Sequence, residues 1–311
     1  MTGYEALRES AAWIDLSARG KLRVSGEDRA RLLHAMSTNH IHNLQHGDGL
    51  YAFFLTAQGR ILADAIIYNR GETLFLDTEP ETSDKLRVHL DKYIIADDAT
   101  VEDETGEWTA IGLEGPQSLE YARKLGVSIP EKQYSNTEWR AGFVARTAST
   151  GQEGIRIFLL PRDKPDLLHR VADLGIPNAT DAEARIVRLE NGIPRYGDDI
   201  TERYLVQETQ ATHAVHFNKG CYLGQEIVER VRSRAQVHRL LMPVRIQESR
   251  APTTGTKLTL DGKDVAEITS AAYSPGLGVV VGLAYVRTEA AREKPAMFVA
   301  GSDPPIAARV L

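Results

Sequence analysis

The chain has 311 residues, enough for two or three domains of ordinary size. Hydrophobic residues make up 42% and charged residues 26%, which fits a globular protein and excludes a disordered, collagenous or coiled-coil chain. With 37 Lys and Arg against 43 Asp and Glu the net charge is −6, which excludes a globally basic nucleic-acid binder.

Lys21 to Val24 reads as a short strand, and Ser25-Gly26-Glu27-Asp28 starts a helix with Leu32, Leu33 and Met36 at helical spacing. Tyr51 to Leu55 is apolar, and Thr56-Ala57-Gln58-Gly59 turns it directly into Ile61 to Tyr68, the pattern of a hairpin. Asn69 to Glu72 turns the chain again into Thr73 to Asp77, and Pro80 to Ile94 reads as a helix with Leu86, Leu90 and Tyr93 on one face. Strands are then expected at Trp108–Leu113, Phe143–Ala148 and Ile155–Leu160, with helices at Pro116–Leu125 and Lys164–Leu174. Thr180 with Glu183 forms a capping box, and Gly192 with Pro194 a stop, so the helix Asp181–Asn191 is the best-punctuated element. Hairpins interleaved with helices, without βαβ alternation, predict an antiparallel α+β fold. After Leu240, five short strands in about 70 residues predict a small β-barrel or sandwich, placing a domain boundary there: residues 1–239, then 240–311. No apolar run approaches the ~20 residues needed to cross a bilayer. The first residues carry Glu5, Arg8, Glu9 and Asp15 without a signal-peptide core. One cysteine forms no intrachain disulfide, so a soluble protein of the reducing cytoplasm is expected.

Three residues attract chemical interest. Cys221 precedes a helix start, where backbone N–H groups and Lys219 would favour a thiolate; the alternative is a small residue in a tight turn. Strand alternation puts Asp64 on the face of Leu62, Ile66 and Tyr68, where a carboxylate needs a hydrogen bond or a cavity unless it lies on an exposed edge. Glu190 ends its helix against the macrodipole, so it needs a partner, either a neighbouring arginine or a heterocycle with N–H donors. The basic stretch Arg230, Arg232, Arg234, His238, Arg239 and Arg245 could receive an anionic partner, but Glu226 and Glu229 interrupt it and it reads equally as a solvated face. The nine histidines show no zinc-type spacing with cysteine, and no metal site is expected.

The octapeptide Lys219-Gly220-Cys221-Tyr222-Leu223-Gly224-Gln225-Glu226 resembles the hallmark of the YgfZ family, folate-binding relatives of glycine-cleavage aminomethyltransferase. The resemblance extends to Ser37-Thr38-Asn39, Leu55-Thr56-Ala57-Gln58-Gly59-Arg60-Ile61, Lys92-Tyr93-Ile94-Ile95, Arg188-Leu189-Glu190-Asn191-Gly192-Ile193-Pro194 and Ile268-Thr269-Ser270. It implies a three-lobed α+β arrangement around a channel that holds tetrahydrofolate, with a small C-terminal barrel. It also implies an accessory role in assembly or repair of iron–sulfur proteins, including tRNA-modifying enzymes, with folate and iron–sulfur clients or assembly proteins as partners. By that resemblance Glu190 meets the pterin, Asp64 lies near the reactive folate nitrogens, and Cys221 is a functional thiol near the cavity. Lys219 and Tyr222 belong to the same cofactor-binding signature. Aminomethyltransferases carry paired aspartates where this chain has Ala63-Asp64. Some family members have tryptophans where this chain has Arg19 and Ala184, so stacking on the pterin would come from elsewhere, for example Tyr68. The alternative reading is the aminomethyltransferase itself; direct tRNA binding is the third and fits the acidic net charge least.

Overall fold

The computed structural model describes residues 1–234 and 237–311. Short antiparallel strands dominate because the chain is punctuated every few residues by glycine turns, such as Gly59 between the strands Gly49–Leu55 and Ile61–Asn69. Those strands belong to a five-stranded sheet completed by Leu74–Thr78, Gly20–Ser25 and Thr100–Asp103. A second five-stranded sheet runs in the order Ala12–Asp15, Thr109–Glu114, Gly154–Leu159, Gly142–Ala145 and Asn136–Trp139. Six strands between Arg239 and Val310 close into a barrel. The α+β expectation and the terminal barrel therefore describe this molecule.

The two open sheets pack face to face. Ile66, Tyr68 and Phe75 of the first meet Ala110, Phe143, Ala145 and Phe158 of the second. The opposite face of the first sheet, with Ala63, Ala65 and Ile67, packs under the helices Arg29–Met36 and Ser83–Asp91 through Leu33, Met36, Leu86 and Leu90. Period-two alternation along Ile61–Asn69 thus sends Asp64 toward the second sheet.

Several elements differ from expectation. The N-terminal segment forms a helix, Gly3–Glu9, started by a Thr2/Glu5 capping box and packed against the helix Asp181–Glu190. The Pro80 segment opens as a single 3₁₀ turn and becomes α-helical only over Ser83–Asp91. The barrel has a sixth strand, Ala307–Val310, too short and too close to the end to stand out in the pattern. The capped helix Asp181–Glu190 appears as expected, with Asn191 as its C-cap. Among the described residues no helix is long and apolar enough to cross a membrane.

Candidate functional site

Where the two sheets diverge, a cavity of about 970 Å³ opens, bounded also by the helix Asp181–Glu190 and the loops at 146–154 and 193–198. Its volume falls within the roughly 300–1,000 Å³ usual for small-molecule sites. Asp64 is the sequence-predicted residue that lines it. Its side chain is nearly buried, and Tyr51 on the neighbouring strand donates its phenol to Oδ2 at 2.7 Å. Burial, followed by the negative charge of Glu79, pushes the Asp64 carboxyl up to about 7, against the stabilising pull of Tyr51 and Arg19. A carboxyl poised there holds or releases a proton at neutral pH. Burial and the adjacent Asp64 charge together drive the Tyr51 phenol well above its ordinary value, so it stays a donor.

The floor beside Asp64 is ionic. Asp77 is fully buried and accepts from Arg19 Nε at 2.6 Å and from Arg156. Burial alone would raise its pKa, but Arg156 and Arg19 outweigh it and hold the carboxyl below its usual range. Glu79 accepts from Arg19 and pairs with Arg195 at 3.0 Å. Arg156 lies on the second sheet and Asp77 on the first, so this pair ties the sheets together at the base of the cavity.

Aromatic rings form one wall. Tyr51 lies nearly parallel to Tyr134 (centroids 6.5 Å apart, 25°) and to His213 (5.4 Å, 28°), and all three line the cavity. Tyr134 adopts a left-handed backbone (φ 63°), an uncommon state for a bulky residue that places its carbonyl over Gly49. This wall lies in loops and on a strand end with no local signature, and the sequence offered no pattern that picks it out. Glu79, two residues beyond Asp77 at the close of a strand, was equally silent.

The other predicted residues lie elsewhere. Tyr68 is fully buried between Phe143 and Phe158, its hydroxyl unpartnered, and is not part of the cavity wall. Glu190 also lies outside the lining; it accepts from Tyr4 at 2.6 Å and Ser274 at 2.5 Å and pairs with Arg8 at 3.2 Å, joining the first helix to the barrel. The partner that its position against the helix dipole demanded is thus provided within the chain.

Cys221 is exposed, in the loop before the helix Gln225–Arg234, and is not among the cavity-lining residues. Gly224 has φ 82° in this loop, and a Cβ there would stand 2.7 Å from the Thr56 carbonyl, so the loop lies tight on the Leu55–Thr56 hairpin end. Lys219 is buried and donates to the carbonyls of His34 and Ser37 at the end of the helix Arg29–Met36, while burial pushes its amine down to about 7. Tyr222 is a buried member of the cluster between the first sheet and the barrel. Thr38 and Asn39 connect the two regions. His216 N–H donates to the Thr38 carbonyl, and the Asn39 amide donates to the carbonyls of Tyr51 and His213, each at 2.9 Å. Among the described residues no cluster of three His, Cys, Asp or Glu side chains is placed to hold a metal ion.

Residues 2–219 match the GCVT N-terminal domain family, and residues 239–311 match the glycine cleavage T-protein C-terminal barrel domain. An aminomethyltransferase of Rubrobacter xylanophilus is 28% identical over 293 residues, covering 92% of this chain and 78% of its own. That of Nostoc sp. is 28% identical over 302 residues, covering 93% and 80%. A putative chloroplastic transferase of Arabidopsis thaliana is 26% identical over 295 residues, covering 92% of this chain and 68% of its own. The crystal structure of glycine cleavage system aminomethyltransferase T from Bartonella henselae superposes with a TM-score of 0.91 at 21% identity, covering 99% of this chain and 86% of that one, a likeness of fold.

Proposed function

This chain belongs to the glycine cleavage T-protein family, and on that premise we propose that it binds tetrahydrofolate in the central cavity and serves iron–sulfur protein assembly or repair through the thiol of Cys221. The observation that carries the reading is the separation of its two chemical groups: a buried acid in a cavity, and a lone thiol on an exposed loop open to a protein partner. The residues fit the cofactor. Tyr51, Tyr134 and His213 offer flat surfaces to a ring system, and Asp64 offers a carboxyl that accepts or donates as its proton dictates. Bound tetrahydrofolate would supply a carrier for one-carbon units; the chain would orient it, exclude water and hold a proton at Asp64. Glu190 and Tyr68 take no part in this binding while Glu190 keeps its bonds to Tyr4 and Ser274.

The test is paired. Protein fluorescence titrated with tetrahydrofolate should saturate, and Asp64→Asn should weaken binding at least tenfold. Cys221→Ala should bind folate as wild type yet fail to restore iron–sulfur enzyme activity in a strain lacking its own family member. Normal restoration by Cys221→Ala removes the thiol from the proposal.

The names of the relatives favour a second reading, aminomethyl transfer in glycine cleavage. The resemblance implies paired aspartates in such a transferase, and the single acid at Ala63-Asp64 weighs against it. Release of ammonia from an aminomethylated lipoyl carrier in the presence of tetrahydrofolate at enzymatic rates would decide for the transferase.

A further inference from the structure

Four histidines gather where the end of the helix Arg29–Met36 meets the loop that carries Cys221. The His34 ring stacks on His42 (centroids 4.1 Å apart, 27°) and meets His40 edge-on at 4.8 Å, and His40 meets His216 edge-on at 5.0 Å. None of the four lines the cavity. Their hydrogen bonds require neutral rings. His34 Nε2 lies 2.9 Å from the Lys219 carbonyl, so that nitrogen carries the proton and donates. Its Nδ1 keeps a lone pair, buried and unpartnered among the described residues. His216 Nδ1 accepts from the Asn218 N–H at 3.3 Å and is therefore unprotonated. His40 Nδ1 is also buried without a partner. A second proton on His34 or His40 leaves a buried N–H with no acceptor, and one on His216 displaces Asn218. The surrounding charges do not compensate. Those acting on His34 are Lys219, His42 and His40, and those acting on His40 are His216, His42 and Lys219. On the helix, Asp28 pairs with Arg31, which also holds Asp97. Beyond the loop Glu229 pairs with Arg232 and Glu226 is exposed, and after His42 the Asp48 carboxylate accepts the Gln45 N–H.

We infer that this cluster is a proton-sensitive latch: its neutral rings seat the Lys219–Glu226 loop on the helix end, and a proton taken up there releases the loop before the rest of the fold opens. Few ties hold the seat. His34 Nε2 donates to the Lys219 carbonyl, and Lys219 donates to the carbonyls of His34 and Ser37. The Leu223 N–H donates to the Ala35 carbonyl, and the His216 N–H to that of Thr38. All of them join residues 216–223 to the short stretch 34–38, so they part together. In the released state the rings meet water and return to the ordinary imidazole value of about 6.5. In the seated state burial and the neighbouring cations hold His34 and His40 lower, His34 at about 4. The seat is therefore complete above about pH 6.5 and is lost as pH falls toward 4. Within that window each ring that gains a proton on release multiplies the opening constant about tenfold per pH unit. The latch concerns the loop and not the cavity, so it stands or falls apart from the folate reading.

The experiment is amide hydrogen exchange of the full chain between pH 7 and 5, read by NMR, each rate divided by the intrinsic rate of that amide at that pH. The expected result is that the opening constant of the Leu223 and His216 amides rises about tenfold per pH unit below pH 6.5, and more steeply where two rings titrate. Low urea should leave these amides unchanged while it accelerates exchange in the barrel strand Val279–Arg287, because releasing a loop exposes little surface. His34→Gln keeps an N–H for the Lys219 carbonyl and has no proton to gain, so it should flatten the slope. His40→Gln should do the same, and it decides the matter where His34→Gln folds poorly. A corrected exchange rate that ignores pH overturns the inference. So does a slope unchanged in both variants, or loop amides that follow the barrel amides in their dependence on pH and urea alike.

Discussion

Asp77→Asn tests whether the ionic floor of the cavity holds the two sheets together. Asp77 is fully buried, and so is Arg156 at 2% exposure. The carboxylate accepts from Arg19 and Arg156, while Arg156 has one further side-chain acceptor, Ser149 Oγ at 2.7 Å, and its Nε has none. An amide of the same shape removes the charge and leaves the buried Arg156 with only neutral side-chain acceptors, the amide oxygen and Ser149 Oγ, while Arg19 keeps Glu79. Breaking a buried pair from one side costs about 3–5 kcal/mol, a large share of the roughly 5–15 kcal/mol that holds a typical domain folded. The assay is urea unfolding at pH 7, followed by tryptophan fluorescence. A second variant, Asp77→Asn with Arg156→Met, removes one orphaned cation and should recover at least about 1 kcal/mol of the loss. The pH dependence has a definite sign. Because the folded carboxyl is held below its ordinary value, its contribution is complete above the usual carboxylate range and disappears as pH falls through the folded pKa. The gap between wild type and variant should therefore narrow below about pH 4. A single variant within about 1 kcal/mol of wild type at pH 7 would refute the reasoning, since it would mean water or backbone already satisfies both arginines.

Burial, and then the charge of Lys219, lowers the His34 ring to about 4 although its Nε2 hydrogen-bonds the Lys219 carbonyl. The unfolded chain takes up that proton first, so stability is unaffected above about pH 6.5 and falls from there toward pH 4. With solvent screening of a partly exposed ring the loss at pH 5 should be roughly 1 kcal/mol, and His34→Gln should flatten the slope of urea midpoint against pH between 6.5 and 5. Cys221, being exposed, should react with a disulfide reagent in the folded protein at one thiol per chain, and Cys221→Ser should leave the urea midpoint within about 0.5 kcal/mol. A thiol silent until unfolding would contradict its placement. Gly224→Ala forces a Cβ against the Thr56 carbonyl at positive φ and should cost about 1–3 kcal/mol, with faster labelling of Cys221 as the loop lifts.

The sequence carried the fold wherever local chemistry decides structure. Capping box, hairpin turn and alternation placed the helix Asp181–Glu190 and the strand Ile61–Asn69, and alternation put Asp64 on an apolar face while leaving an exposed edge open, the choice that the cavity decides. The first helix escaped notice because it is seven residues long, and its apolar face, Tyr4, Ala6 and Leu7, acquires meaning only against a helix some 180 positions later. The site was half legible for the same reason. Asp64 stands out as a carboxylate in an apolar run, whereas Tyr51, Tyr134 and Glu79 are ordinary residues in their own neighbourhoods. Their chemistry arises from convergence, which spacing does not encode. Glu190 looked in need of a partner and has internal ones in Tyr4, Ser274 and Arg8, whereas Tyr68, suggested as a stacking ring, packs in an aromatic cluster outside the cavity lining.

The segment Ser37-Thr38-Asn39 gives the two halves of the site a common mechanical element. From one side it is gripped by the signature loop, through Lys219 on the Ser37 carbonyl and the preceding turn of helix. From the other it fixes the cavity wall: the Thr38 hydroxyl accepts from Phe53 N–H and donates to the Ala214 carbonyl, and Asn39 bridges the carbonyls of Tyr51 and His213. The bonds of Lys219 to the Ser37 carbonyl and of the Thr38 hydroxyl to Phe53 and Ala214 are buried, where an unsatisfied donor is costly, so the segment has little freedom to move on one side alone. Any shift of the loop that carries Cys221 is therefore transmitted to the backbone of Tyr51, whose hydroxyl is the side-chain partner of Asp64. A ligand that pushes on the Tyr51 wall should, by the same bonds, alter the reactivity of the thiol, and the labelling rate of Cys221 with and without tetrahydrofolate measures that coupling directly. Equal rates at saturating folate would show that the acid and the thiol work independently.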